Sequence, residues 1–179
     1  MAVTNYAIGP IGVDFEVTQS VNDGTVPNNF KLGDVVIDNQ GGHWIFGRAD
    51  EALTAYSLCF ITNATIILGT WKFQMAASAD IATGPKFLGV NQVAFTDEYY
   101  GFIWRGPGGG AGRGIKVRSS NATNGALLSS TATDGLVDGT TIADEGVIAG
   151  LTVLVTTTTA AAQECQSSTF IACNLTEVD

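Results

Sequence analysis

Charged side chains are scarce in this chain. Only 14% of its 179 residues are Asp, Glu, Lys or Arg, against about a quarter in an average soluble protein. Helical surfaces are usually rich in Glu, Lys and Arg, whereas small polar residues and glycine suit strands and turns. The chain has 22 glycines and no long amphipathic helical pattern. This composition therefore favours an all-β protein.

Basic residues are the scarcer of the two charged classes. The chain has 8 Lys and Arg against 17 Asp and Glu, for a net charge of −9. Proteins that bind nucleic acid neutralise phosphates with Lys and Arg, and anionic membrane surfaces attract the same residues. We therefore expect neither nucleic acid nor a membrane among the partners.

Residues that carry catalysis or bind metals are few. His43 is the only histidine, and the three cysteines, Cys59, Cys165 and Cys173, have neither zinc-site nor redox-pair spacing. The adjacent carboxylates at 97–98 and 144–145 lie in expected turns. We predict three reduced thiols, no cofactor, no metal and no enzymatic activity.

Long apolar segments are also missing. The start, MAVTNYAIGPIG, has neither a basic stretch nor an apolar run of signal-peptide length. The longest apolar run, 146–155, is too short to span a bilayer. These features predict synthesis in a cytoplasm, without export.

A glycine-rich stretch, GPGGGAGRG at 106–114, follows a predicted strand, as a phosphate-binding loop would. Its spacing fits no phosphate motif, because Ala111 replaces the third glycine of a dinucleotide fingerprint and Ile115 replaces the lysine of a P-loop. No helical pattern follows it. We interpret the stretch as a loop between strands.

The clearest structural signals are two predicted hairpins, at 33–49 and 87–105. Each joins an apolar strand to an aromatic one through turn residues. Residues 50–58 are predicted to begin with a short helical turn, and 65–75 to form a long strand. Short segments with frequent Gly and Asp follow. Residues 32–179 are therefore predicted to form one small antiparallel β-barrel or sandwich.

Residues 1–31 predict an extended N-terminal arm with one strand. Val13, Phe15 and Val17 alternate with polar residues, whereas Asn22-Asp23-Gly24 and Pro27-Asn28-Asn29 are loop signals. An arm of this kind can add a strand to a neighbour's sheet edge. We predict that Val13, Phe15 and Val17 contact another protein, either a further copy of the chain or a different assembly partner, and that removing 2–30 leaves the β fold intact.

Three segments resemble the decoration, or cement, proteins of tailed bacteriophages. GDVVIDNQGGHWIFGRADEAL is similar to their opening hairpin, and FLGVNQVAFTDEYYGFIWRGPGGGAG to their central strand pair. GALLSSTATDGLVDGTTIADEGVIAGLTVLV resembles their closing short strands. The resemblance covers residues 33–154 and leaves out the arm and the acidic tail after Cys173.

The resemblance implies a small β-barrel without enzymatic activity that lies on the capsid surface of a virion. The implied partners are the major capsid protein and further copies of the chain, with a homotrimer favoured over a dimer. The alternative function is a receptor- or carbohydrate-binding virion module. In that case the aromatic strands, Trp44 and Trp104 included, would form a sugar-binding platform.

Overall fold

A computed structural model describes Phe15 and residues 18–20, 30–63, 71–77, 87–139, 147–156 and 158–174, with the backbone alone at 62, 63 and 172–174. No helix occurs in these ranges, which confirms the predicted all-β fold. The strands are β1 (Val35–Ile37), β2 (His43–Ala49), β3 (Leu58–Asn63), β4 (Trp71–Met75), β5 (Phe87–Asn91), β6 (Tyr100–Trp104), β7 (Gly108–Gly109), β8 (Lys116–Ser120), β9 (Leu127–Ser130), β10 (Val137–Asp138), β11 (Val147–Val153) and β12 (Ala161–Asn174).

The strands close into two barrels of five strands each. β2, β4, β3, β5 and β6 form the first ring in that order, and β6 closes it by pairing with β2. β8, β10, β9, β11 and β12 form the second ring, which closes where β12 pairs with β8. Closure leaves neither ring with a free edge of its own.

Both barrels follow the same topology. In each ring the first strand along the chain pairs with the third, and this is the only parallel pair of the ring. The third strand then pairs with the second, the second with the fourth, the fourth with the fifth, and the fifth with the first, all antiparallel. The fold is therefore one barrel design used twice in succession.

The long strand β12 connects the two barrels. Ala172 of β12 pairs with Phe87 of β5, so the two rings belong to one continuous sheet. A single hydrophobic cluster also contains residues of both rings: Trp44, Phe46, Leu58, Phe60, Leu88, Val90, Phe102 and Trp104 from the first, and Val117, Leu128, Val137, Ile148, Leu151, Val153, Cys165 and Ile171 from the second. The barrels therefore share one core.

The first barrel has a second core on the opposite faces of the same strands. It contains Ile45, Ala49, Leu53, Cys59, Ile61, Phe73, Phe95 and Ile103. Gly47 and Gly101 lie opposite each other on β2 and β6. A Cβ atom at Gly47 would lie 2.3 Å from the ring of Phe73, and one at Gly101 would lie 2.8 Å from the ring of Phe95. The two glycines thus provide the space that these rings fill.

Part of the predicted arm belongs to the shared core. Phe15 is 1% exposed, and its ring stacks on Trp44 with 4.5 Å between centroids and meets the edge of Phe102 at 5.2 Å. Gln19 forms an antiparallel bridge with Tyr100. Phe30 packs against Phe46 with 5.8 Å between ring centroids. The segment therefore contributes to the fold of its own chain.

The first predicted hairpin is confirmed, and the second differs in its length. β1 and β2 pair antiparallel through a turn at 38–42. β5 ends at Asn91 and pairs with β6 at only two positions, Val90 and Asn91, whereas β6 pairs mainly with β2. The cause is the buried amide of Asn91, which accepts a hydrogen bond from the Ser57 N–H and donates to the carbonyls of Thr54 and Val93.

The predicted helical turn at the start of 50–58 is wrong. Asp50 forms an ion pair with Lys72, and Glu51 Oε1 accepts a hydrogen bond from the Met75 N–H at 2.6 Å. Leu53 bridges to Phe95. These contacts to β4 and to the β5–β6 connection fix the segment in an irregular conformation. Of the predicted strand at 65–75, Trp71–Met75 is a strand and 65–70 lie outside the described residues.

We predict that Phe15→Ala lowers the free energy of unfolding by about 3–5 kcal/mol, because it removes a buried ring and leaves a cavity. Leu127→Ala is the control, since Leu127 is 66% exposed and its truncation is expected to cost less than about 0.5 kcal/mol. Urea denaturation followed by circular dichroism measures both values. Equal costs for the two variants would show that Phe15 does not belong to the core.

Candidate interaction surface at the barrel junction

Four side chains meet where β2, β5 and β12 approach the end of β6. They are His43, Phe87, Arg105 and Phe170, and we call them the Arg105 cluster. The backbone places them together: the Arg105 N–H donates to the His43 carbonyl at 2.8 Å, and the Ile171 N–H donates to the Arg105 carbonyl at 2.9 Å. Phe87 is brought close by its pairing with Ala172. The cluster therefore draws on both barrels.

The side chains of the cluster pack around the guanidinium group. The Arg105 Cζ atom lies 5.1 Å from the ring centroid of Phe87 and 5.2 Å from that of Phe170. The His43 ring meets Phe170 edge to face at 5.1 Å. Both distances from Cζ lie within the range of cation–π attraction. Phe87 and Phe170 are nevertheless 61% and 49% exposed, so much of their apolar surface faces solvent.

Arg105 is a cation without a carboxylate partner among the described residues. The ion pairs among the described residues are formed by Arg48 and Lys72 instead. The Nε atom of Arg105 is buried and makes no hydrogen bond there. Burial lowers the pKa of Arg105 below its ordinary value, although a guanidinium stays protonated in proteins. The cluster thus presents a partly desolvated positive charge between apolar groups.

A strand edge extends the surface beside the cluster. Among the described strands, β1 pairs only with β2, where Ile37 lies opposite His43. The Asp34 carbonyl accepts a hydrogen bond from the Phe46 N–H, and the Asp38 N–H donates to the Gly42 carbonyl. Val35 and Ile37, which alternate with these residues, therefore direct their backbone groups to the outer edge. Their side chains are 50% and 45% exposed.

The structure describes one of the three residues that were predicted to contact a partner. Phe15 is buried against Trp44 in its own chain, whereas Val13 and Val17 lie outside the described residues. The predicted subunit or capsid contact of these three residues stays a prediction. Sequence reasoning missed the Arg105 cluster, whose members are far apart in the chain. An arginine directly after an aromatic strand, at Trp104-Arg105, was the one local signal.

The proposed sugar platform loses its two main members. Trp44 and Trp104 are 1% and 0% exposed. The Trp44 Nε1–H donates to the carboxylate of Asp38 at 2.8 Å, inside the first hairpin. Neither indole can stack on a sugar at the surface, because both faces are covered by the core. The alternation of side chains along a hairpin does not predict that both indoles are buried, because the outer face of this barrel is itself buried.

The glycine-rich loop has a structural role. Gly108 and Gly109 form β7, which pairs with Ser167 and Gln166 of β12. A Cβ atom at Gly109 would lie 2.4 Å from the Cys165 carbonyl oxygen, and φ at this residue is +73°. Glycine is needed there for both reasons. The loop thus fixes the strand that carries Phe170.

The described thiols are not placed for chemistry. Cys59 and Cys165 are free and buried, and burial raises the pKa of both thiols. The side chain of Cys173 lies outside the described residues. Within the described ranges, no group of three His, Cys, Asp or Glu side chains is placed to hold a metal ion. The same ranges contain no helix of the length and apolarity that crossing a membrane requires.

The chain was compared with protein-family models and with curated proteins. No protein-family model matches the chain, and no curated protein matches it either. Functional inference therefore depends on the geometry described above and on the sequence resemblance.

We predict that Cys59 and Cys165 stay unreactive toward a thiol reagent at pH 8 in the folded protein and react fully in denaturant. The raised pKa favours the protonated thiol in the folded state. The contribution of each buried thiol to the free energy of unfolding is therefore complete below about pH 9, and it decreases at higher pH, where only the thiols of the unfolded chain ionise. Absorbance titration counts the reactive thiols, with Cys59→Ala and Cys165→Ala identifying each. Rapid labelling of either residue in native protein would contradict the burial.

Proposed function

We propose that the chain is a structural protein of a phage virion that binds the outer surface of an icosahedral capsid and stabilises it. The observation that carries the proposal is the Arg105 cluster, a surface on a double barrel with two exposed phenyl rings and a cation that has no carboxylate partner among the described residues. Such a combination is typical of contact surfaces, where aromatic residues and arginine are enriched.

The architecture supports a role in binding rather than catalysis. A capsid-bound protein needs stability and a defined contact surface, and two closed barrels with one shared core supply both. The resemblance of residues 33–154 to phage decoration proteins supports the same function. Many copies on a symmetric shell gain avidity even where each contact is weak.

The major capsid protein is the proposed partner, and a homotrimer is the proposed form of the free protein, with a dimer as the second choice. The open edge of β1, with the exposed side chains of Val35 and Ile37, offers a site where a neighbouring subunit can add a strand. The double barrel would then be the unit that repeats over the capsid.

Co-sedimentation with emptied phage heads tests this function. We expect the intact protein to pellet with heads and the double variant Phe87→Ser/Phe170→Ser to lose at least about tenfold in affinity, because hot-spot aromatic residues dominate such contacts. Leu127→Ser/Val155→Ser is the matched control, since it removes two apolar side chains that are 66% and 50% exposed elsewhere. This control should bind as the intact protein does.

Two outcomes would contradict the proposal. One is an absence of binding to heads under conditions where a known decoration protein binds its own capsid. The other is a glycan-array signal that persists in the double variant, which would favour the carbohydrate-binding alternative. Light scattering after size exclusion measures the oligomeric state independently.

A further inference from the structure

The Arg105 cluster has a chemical preference that its geometry defines. Its cation is partly desolvated and lies over two phenyl rings. The Nε–H is buried and closed to an outside group, whereas the terminal Nη groups are not among the buried atoms and make no hydrogen bond with the described residues. A partly desolvated cation without a counter-charge is costly, and an anion that binds the Nη groups reduces that cost. The rings exclude water from such a contact and so strengthen it.

We propose that the Arg105 cluster is a docking site for a single carboxylate that a partner protein presents among apolar side chains. This proposal rests on the proposed capsid-binding function and names the group that the partner contributes. A carboxylate matches the planar fork of a guanidinium with two parallel hydrogen bonds. Apolar neighbours of that carboxylate cover the exposed faces of Phe87 and Phe170.

The surrounding charge favours a carboxylate on a compact protein surface over a nucleic acid. The chain carries a net charge of −9, so a polyphosphate backbone is repelled by the rest of the molecule. One carboxylate carries a single negative charge, so the acidic chain repels it less than it repels a polyphosphate. The cluster also offers one cation only, which suits one acidic side chain.

The partner is a different protein rather than a second copy of this chain. A two-fold contact through the cluster would place Arg105 opposite Arg105, and like charges repel. A head-to-tail contact needs a free carboxylate on the copy, and most described carboxylates are already bound within the chain: Asp34, Asp38, Asp50, Glu51, Glu98, Asp138 and Glu164.

Asp97 and Asp134 are the exceptions, because both are exposed and neither makes a hydrogen bond or ion pair with the described residues. They are therefore the residues to change in testing self-association.

A peptide titration of the full-length protein tests the site without a capsid. The probe is acetyl-Leu-Glu-Leu-amide, and its Gln counterpart is the matched control. The readout is the chemical shift of the Arg105 Nε–H group and of the Phe87 and Phe170 ring protons. We expect saturable shifts with the Glu peptide and affinity about tenfold weaker, or lost, with the Gln peptide, since a charge-assisted pair is replaced by a neutral one.

Protein variants show whether the cluster is responsible. Phe87→Ser and Phe170→Ser should each weaken Glu-peptide binding several-fold, and Leu127→Ser should leave it unchanged. Arg105→Lys keeps the charge and loses the planar fork, so the Glu peptide should lose most of its advantage over the Gln peptide. Circular dichroism confirms that each variant is folded. Equal binding of the two peptides to intact protein would overturn the proposal.

Two further results would also overturn it. Inorganic phosphate binding as tightly as the Glu peptide would show a general anion site. A fall in oligomer size with Arg105→Lys, reproduced by Asp97→Asn/Asp134→Asn, would show that a second copy of the chain occupies the site. Peptide binding without binding to heads would leave this inference standing and refute the capsid function, so the two failures are distinguishable.

Discussion

The pairing of β12 with strands from both barrels is the constraint on which the rest of the structure depends. Ala161–Asn174 closes the second ring through β8 and β11 and then reaches Phe87 at the edge of the first. The shared core follows from this, because the strand fixes the two barrels side by side. The position of Arg105 follows as well, since the Ile171 N–H of β12 binds its carbonyl.

A surface built this way combines groups that would be unfavourable separately. Exposed phenyl rings are prone to association, and a partly buried arginine without an acceptor is destabilising. Together they are tolerated, because Phe87 and Phe170 provide the guanidinium with aromatic faces at about the same distance. The remaining imbalance is a guanidinium that has no carboxylate partner among the described residues.

The fold class and the first hairpin were predictable from the sequence because both depend on local signals. Alternation and turn residues locate β1 and β2, and the scarcity of helix formers excludes long helices. The doubling of the barrel was not predictable in the same way. Closure depends on the pairing of strands far apart, such as Gly47 opposite Gly101. The stacking of Phe15 on Trp44 was not predictable either, because the two residues are distant in the chain. For the same reason, the only local signal of the Arg105 cluster is the arginine that follows an aromatic strand.

Because the two barrels follow one another in the sequence, the strands of the first are complete before those of the second during synthesis. The strands of the first ring all lie between His43 and Trp104, so that ring can close while later residues are still being added. The second ring waits for β12, the last of the described strands. Phe170 arrives with it, and a chain interrupted before that residue has Arg105 without its second aromatic neighbour. The aromatic surroundings of Arg105 are therefore complete only after β12 has been synthesised.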